Sequence, residues 1–380
     1  MAGKVISAII YIRQMNTRDI VIVANSPGEL SALVKPVIET LADSLTQKRI
    51  ILVLTPCQYT SGWEKEYCAA IRGIDKYISA EEFKSWILLN KKPKFEFSKT
   101  GIVLYLGGDL AYPILIAKKL GYPAKAYVQD RIGWTGSYKT FFVPDEDARK
   151  KLARTQKVRD KCKIVGNLMV DSVEHLPKWA PQKNIVTFMP GSRVWQVKHT
   201  TPIYRTILHE IKKIMPHLSF QLVSSPFEKA IDIAGTTRID FEQVMNSEIV
   251  ITIPGTNTAR LAALGIPMVV IFPLDNPDVI PLEGLPHLIG MLPYFGSKFK
   301  HTLAKIVNNK VKYFALPNIK AKKEIVPEIR GIIDPKVVAR TVITLIKDQP
   351  KRGKMSAELH KAMGEAGAAQ KIAEDLNAAL

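Results

Sequence analysis

Short β-branched runs alternate with amphipathic stretches along most of this chain. Asp19–Ala24 (DIVIVA) is one such run, followed by a turn at Asn25–Gly28. Leu30, Leu33, Val37, Leu41 and Leu45 then recur at helical spacing. Arg49–Leu54 and Ile102–Leu106 read as strands, and the second ends in Gly107-Gly108-Asp109. Ala111–Leu120 reads as a helix stopped by Gly121-Tyr122-Pro123, with further short strands at Ala126–Gln129 and Thr140–Val143. Strands and helices in alternation predict a parallel sheet covered by helices.

The pattern then restarts. Lys163–Val165 is followed by a polar, Pro-containing stretch, Leu176–Lys183 (LPKWAPQK), which reads as a linker. Asn184–Met189 opens a second series as a strand ending in Pro190-Gly191-Ser192-Arg193, and a long helical pattern runs on to about Met215. Ser219–Val223, Glu248–Ile253 and Met268–Phe272 read as strands, with Thr258–Leu264 as a short helix. Pro335–Lys347 and Ser356–Leu380 read as helical. The expected organisation is α/β: an N-terminal Rossmann-like domain over 1–177, a second over 178–350, and a C-terminal helix over 351–380 packing back on the first. Ligands of such sheets bind beyond the carboxyl ends of the strands, so two halves facing one another would enclose a cleft.

Charge adds to this picture. The chain has 54 Lys+Arg against 35 Asp+Glu, a net +19, which attracts nucleic acid, acidic headgroups and phosphorylated metabolites. No RNP-type motif and no helix-turn-helix pattern is present, so no nucleic-acid partner is expected. Cys57, Cys68 and Cys162 are odd in number and unpaired in spacing, which fits a reducing compartment. No metal-ligand spacing of histidine or cysteine occurs, and no metal or cofactor is expected. No apolar stretch reaches the roughly 20 residues of a membrane span, and Leu261–Leu274 is broken by Gly and Pro. The N-terminus carries Lys4 and Arg13 around an apolar run but no cleavage site, and is read as no signal peptide.

Candidate chemistry gathers at strand ends. Gly191, Ser192 and Arg193 follow one buried strand, and Gly255, Thr256, Asn257 and Thr258 follow another and open a helix. Glycine admits a ligand close to the backbone, a helix start offers free N–H groups, and Arg193 adds a forked cation, a combination that suits a diphosphate. Ordinary strand–helix turns with Ser/Thr caps would look the same at this spacing. Asp109, after Gly107 and Gly108, is placed to take a proton from a sugar hydroxyl, or to cap the following helix. Gly28 and Glu29 lie in the first strand–helix turn, where substrate contact and a plain helix start are both open. Phe83–Lys99 interleaves Trp86, Ile87, Leu88, Leu89, Phe95 and Phe97 with five lysines, a pattern that suits a membrane interface or a helix packed on its own sheet.

Taken in order, these motifs resemble the lipid-A-disaccharide synthase family over most of the chain. Gly107-Gly108-Asp109 resembles its glycine-aspartate turn, and Val165–Asp171, with Asn167, its Gly-His-x-Met-x-Asp segment. Met189–Arg193 resembles its Leu-Pro-Gly-Ser-Arg motif, and Pro254–Ala259 its Ser-Gly-Thr-Ala turn. Ile266–Val270 and Ala315–Ile319 resemble its Pro-Met-Val-Val and Leu-Pro-Asn segments. The resemblance implies a GT-B type inverting glycosyltransferase that needs no metal. Its donor would be UDP-2,3-diacylglucosamine and its acceptor 2,3-diacylglucosamine 1-phosphate, met at the cytoplasmic membrane face. It implies Asp109 as base, Arg193 at the donor diphosphate, and the acceptor in the first half. Three positions depart from the pattern. Arg260 and Gln196 stand where glutamates are usual, and Asn25–Leu30 (NSPGEL) replaces Gly-Glu-x-Ser-Gly-Asp. An arginine cannot accept a hydrogen bond from a ribose hydroxyl. Alternatives of the same fold are an N-acetylglucosamine transferase, a UDP-N-acetylglucosamine 2-epimerase, and a non-catalytic membrane-associated relative.

Overall fold

The computed structural model describes residues 17–44, 48–57, 61–191, 193–226, 232–274 and 311–380. Lys4, Arg13, Leu45 and Ser192 lie outside the described residues. The chain divides into two compact units, Met1–Ser172 with Glu365–Leu380, and Val173–Gly364.

Unit 1 holds strands β1 (Arg18–Ala24), β2 (Lys48–Leu54), β3 (Lys76–Ile78), β4 (Gly101–Tyr105), β5 (Ala124–Tyr127), β6 (Tyr138–Val143) and β7 (Cys162–Ile164). Among the described residues they form a seven-stranded sheet in the order β3-β2-β1-β4-β5-β6-β7. Each neighbouring pair runs parallel. Ile20 to Ala24 are fully buried. That is why DIVIVA reads as one apolar run and not as alternation: a parallel sheet is covered on both faces. The helix after β1 widens by one π-helical turn at Leu30–Val34, where Pro36 supplies no N–H to the preceding turn.

The last helix, Ala368–Ala379, belongs to unit 1. Asp171 accepts from Gly367 N at 2.7 Å and caps its start. Asp375 pairs with both Lys125 and Lys163. The helix before it, Gln349–Met363, stays in unit 2, where Arg352 pairs with the buried Glu248 at 3.0 Å. The tail expected as one helix over 351–380 is therefore split at Gly364–Gly367, and its two parts serve different cores.

Unit 2 repeats the plan with β8 (Ile185–Met189), β9 (Ser219–Val223), β10 (Thr237–Ile239), β11 (Ile249–Thr252), β12 (Met268–Pro273) and β13 (Glu328–Gly331). The order is β10-β9-β8-β11-β12-β13, again parallel throughout. In each sheet the strand order reverses once, between β1 and β4 in unit 1 and between β8 and β11 in unit 2. Connections leave such a pair in opposite directions, so a crevice opens at their carboxyl ends. Each unit thus has one geometrically favoured ligand position.

Candidate functional site

In unit 1 that position is formed by Asn25–Glu29 after β1 and Leu106–Asp109 after β4. Glu29 ties the two turns together. Its Oε2 accepts from Asn25 N and Ser26 N, both at 3.1 Å, and its Oε1 accepts from Gly108 N at 3.1 Å. A Cβ on Gly107 would lie 2.1 Å from the Glu29 carboxyl carbon, so the carboxylate occupies the space a side chain would need. Glu29, open by sequence to substrate contact or to a plain helix start, spends its carboxylate on backbone N–H groups. The Gly28 carbonyl likewise accepts from Ser31 Oγ at 3.2 Å.

The Gly108 carbonyl accepts from Tyr105 OH and from Arg131 Nη2, both at 2.8 Å. Burial pushes the Tyr105 phenol up to about 12, which keeps it a donor at neutral pH. Asp109 follows from this fixed peptide and is exposed, and its Oδ1 accepts from Ala111 N at 2.8 Å. The Asp109 carboxylate thus accepts from the first N–H of the Ala111–Leu120 helix and faces solvent at the reversal point. Asn167 has another place. It is buried, and its Oδ1 accepts from Met169 N at 3.1 Å, at the start of the Leu168–Glu174 helix.

Burial raises the Glu29 carboxyl above its ordinary value, against the backbone hydrogen bonds that lower it. A raised folded-state value means stability that is present in full below the unfolded value of 4.5 and is lost as pH rises through the folded one. Glu29→Gln removes that titration. Wild type should gain stability relative to Glu29→Gln as pH falls from 7 towards 5, measured by urea unfolding at both values. An unchanged difference would mean that Glu29 does not titrate as its burial requires.

In unit 2 the reversal point lies between Pro190–Arg193 after β8 and Ile253–Thr258 after β11. Gln196, in the first turn of the Val194–Ile214 helix, accepts from Arg193 N at 3.3 Å, so this uncharged side chain closes the turn. Gly255 caps the Thr256–Ala263 helix at φ 135° and ψ −161°, a conformation open essentially to glycine alone. It is exposed, and no atom stands within 4 Å of where its Cβ would be. A ligand can therefore approach this helix start closely. Thr258 does not face that space. It is fully buried, and its hydroxyl donates to the Gly255 carbonyl at 2.7 Å and accepts from Leu316 N at 3.3 Å. Thr256, Asn257 and Arg193 are half-buried.

Arg260 lies over the Phe241 ring, 3.6 Å from its centroid. Phe241 opens the turn after β10, and no sequence pattern marks it as the seat of a cation. Asn318, in the Leu-Pro-Asn segment, is buried. Its amide donates to the Val326 carbonyl and to Glu328 Oε1, both at 2.8 Å, and accepts from Ile325 N at 2.7 Å. Its work is to fold the loop before β13.

Part of the basic and aromatic segment is core. Trp86 is 2% exposed and stacks on Phe97 at 5.1 Å. Leu88 and Leu89, at 77% and 64%, are exposed beside Lys91, Lys92 and Lys94. Among the described residues no helix is long and apolar enough to cross a membrane.

No family model matches the chain. It is 27% identical over 190 residues to lipid-A-disaccharide synthase 2 of Legionella pneumophila, covering 43% of each chain. It is 25% identical over 275 residues to the lipid-A-disaccharide synthase of Wigglesworthia glossinidia brevipalpis, covering 64% of this chain and 65% of that one. The matched stretches thus span less than two thirds of these relatives. Among solved structures it is similar to UDP-GlcNAc 2-epimerase from Methanocaldococcus jannaschii, with a TM-score of 0.53, 14% identity, and 95% and 99% of the two chains covered. It is similar to MurG of Acinetobacter baumannii, with a TM-score of 0.51, 12% identity, and 95% and 99% covered. It is also similar to S. aureus MnaA solved with UDP, with a TM-score of 0.51, 12% identity, and 96% and 97% covered. The chain therefore has the two Rossmann-like units of the GT-B type, and its sequence is distantly similar to that of lipid-A-disaccharide synthases.

Proposed function

We propose that the protein is an inverting glycosyltransferase that moves an acylated glucosamine from UDP to a lipid monosaccharide phosphate. The observation that carries this reading is the exposed carboxylate of Asp109 at the reversal point of unit 1. The open Gly255 helix start at the reversal point of unit 2 supports it, as does the similarity to lipid-A-disaccharide synthases. Asp109 takes the proton from the acceptor hydroxyl as that oxygen bonds to the anomeric carbon. The bond from the anomeric carbon to the diphosphate oxygen breaks, and UDP leaves with the electron pair. Arg193 and the free N–H groups after Gly255 stabilise the charge that grows on the diphosphate. The step uses no metal and no cofactor. Arg260 offers no acceptor to ribose hydroxyls, and its role here is to brace the turn through Phe241.

The donor half of this reading is tested by calorimetry with UDP. Arg193→Ala should weaken UDP binding about tenfold, the loss of roughly one charge-assisted contact. Equal affinity in the two proteins would remove Arg193 from the diphosphate site.

The lipid substrates place the protein at a membrane surface, and Leu88, Leu89 and the lysines after them are the contact we assign. Leu88→Ser/Leu89→Ser should weaken binding to vesicles with anionic lipid by about tenfold or more while leaving the melting temperature unchanged. Trp86→Ser should instead cost about 3 kcal/mol of stability, because it empties a core position. Undiminished vesicle binding by the double variant would exclude this surface.

A further inference from the structure

Unit 1 contains an open cavity of about 450 Å³, lined by residues other than those assigned above to the reaction. This volume is ample for a small ligand. Its wall is apolar at Ile132, Leu152 and Val158. Its charged groups are Arg131, Lys151 and Arg154 against the single carboxylate of Asp130. The rim is held in place: Lys161 Nζ donates to the Thr135 carbonyl at 2.7 Å and to the Tyr138 carbonyl at 2.9 Å, and Thr135 lines the cavity. Tyr138 OH in turn donates to the Leu110 carbonyl at 2.8 Å. Three cations among aliphatic side chains make a poor site for a neutral sugar and a poor site for a bare hydrocarbon. They match a molecule with an anionic head and an apolar stem, since guanidinium and ammonium groups engage phosphate oxygens while the stem covers the aliphatic side chains.

We propose that this cavity binds a phosphomonoester carried on an apolar chain. Arg131 gives the site its relation to the candidate chemistry. The same side chain lines the cavity and donates to the Gly108 carbonyl, one residue before Asp109. A phosphate held there lies one side chain away from the turn that presents the carboxylate. The ligand's identity as the acceptor of the transfer rests on the reading above, whereas the head-and-stem chemistry of the cavity rests on its own lining.

The test is calorimetry on the full chain with octyl phosphate, octanol and inorganic phosphate, for wild type and Lys151→Glu/Arg154→Glu. Both substituted residues are exposed, and an unchanged melting curve shows that the variant is folded. The milder Lys151→Gln/Arg154→Gln serves if it is not. Octyl phosphate should bind one-to-one, with octanol and inorganic phosphate each at least tenfold weaker. Charge reversal should weaken octyl phosphate at least tenfold. Equal affinity for wild type and reversed protein, or octanol binding as well as octyl phosphate, overturns the proposal. Displacement of octyl phosphate by 2,3-diacylglucosamine 1-phosphate and not by phosphatidic acid identifies the acceptor as the ligand, and the reverse identifies a membrane headgroup. A protein that binds octyl phosphate in this way but transfers no sugar would refute the transferase reading and keep the site. A protein that transfers sugar while its octyl phosphate binding ignores charge reversal would do the opposite.

Discussion

Replacing Asp109 with Asn is expected to lower turnover by a factor on the order of 10²–10⁴, the usual contribution of a positioned general base. The fold should survive. An amide oxygen can still accept from Ala111 N, as Oδ1 does now at 2.8 Å, so the turn into the helix keeps its cap. UDP affinity should also be unchanged, because the residues proposed to hold UDP belong to unit 2 and Asp109 belongs to unit 1. This split makes the variant informative: kcat falls, while the melting temperature and UDP binding stay. A parallel fall in all three would show that Asp109 serves the fold.

Gly107→Ala should have the second large effect, through a residue with no chemistry of its own. The new Cβ would meet the Glu29 carboxyl carbon at 2.1 Å. Backbone cannot yield there without moving β4, so Glu29 must leave. Its departure strands three N–H groups, those of Asn25, Ser26 and Gly108. A buried donor left without its partner costs about 1–3 kcal/mol. We therefore expect a loss of about 3 kcal/mol or more in unit 1, read by urea unfolding, together with loss of turnover because the Gly108 peptide no longer fixes Asp109. UDP binding in unit 2 should persist. Wild-type stability in Gly107→Ala would show that the clamp is not formed.

Much of the fold was readable because parallel strands are buried on both faces and write themselves as apolar runs. DIVIVA, IVTFM and MVVIFP are of this kind, and the glycine turns mark where they end. The strands at Lys76–Ile78, Thr237–Ile239 and Glu328–Gly331 went unread for the opposite reason. They form outer strands of their sheets, are three or four residues long, and carry exposed or half-buried positions that resemble loop. The break at Gly364–Gly367 was missed because helical periodicity continues on both sides of it, and only the two glycines mark the stop.

At the site, residue type and position were legible but orientation was not. Asp109 and Gly255 stand open where strand order reverses. Glu29 and Thr258 carry the right chemistry at the right turns, yet direct it to the backbone. Trp86 joined a basic and aromatic pattern on paper and lies in the core, a distinction that depends on which side of the Ala80–Leu89 helix meets the sheet. Arg131 gave no sequence signal, and Gln196 stood out only as a departure from the family pattern. Their roles come from tertiary contacts, with the Gly108 carbonyl in one case and Arg193 N in the other.

Sugar transfer with Asp109 as base is tested by UDP release from the purified protein given UDP-2,3-diacylglucosamine and 2,3-diacylglucosamine 1-phosphate in detergent, with the Asp109→Asn protein alongside. Wild type should yield UDP and a lipid disaccharide phosphate in equal amounts, and Asp109→Asn should run at least about a hundredfold more slowly. Equal rates from the two proteins, or UDP release with no disaccharide formed, would contradict this reading.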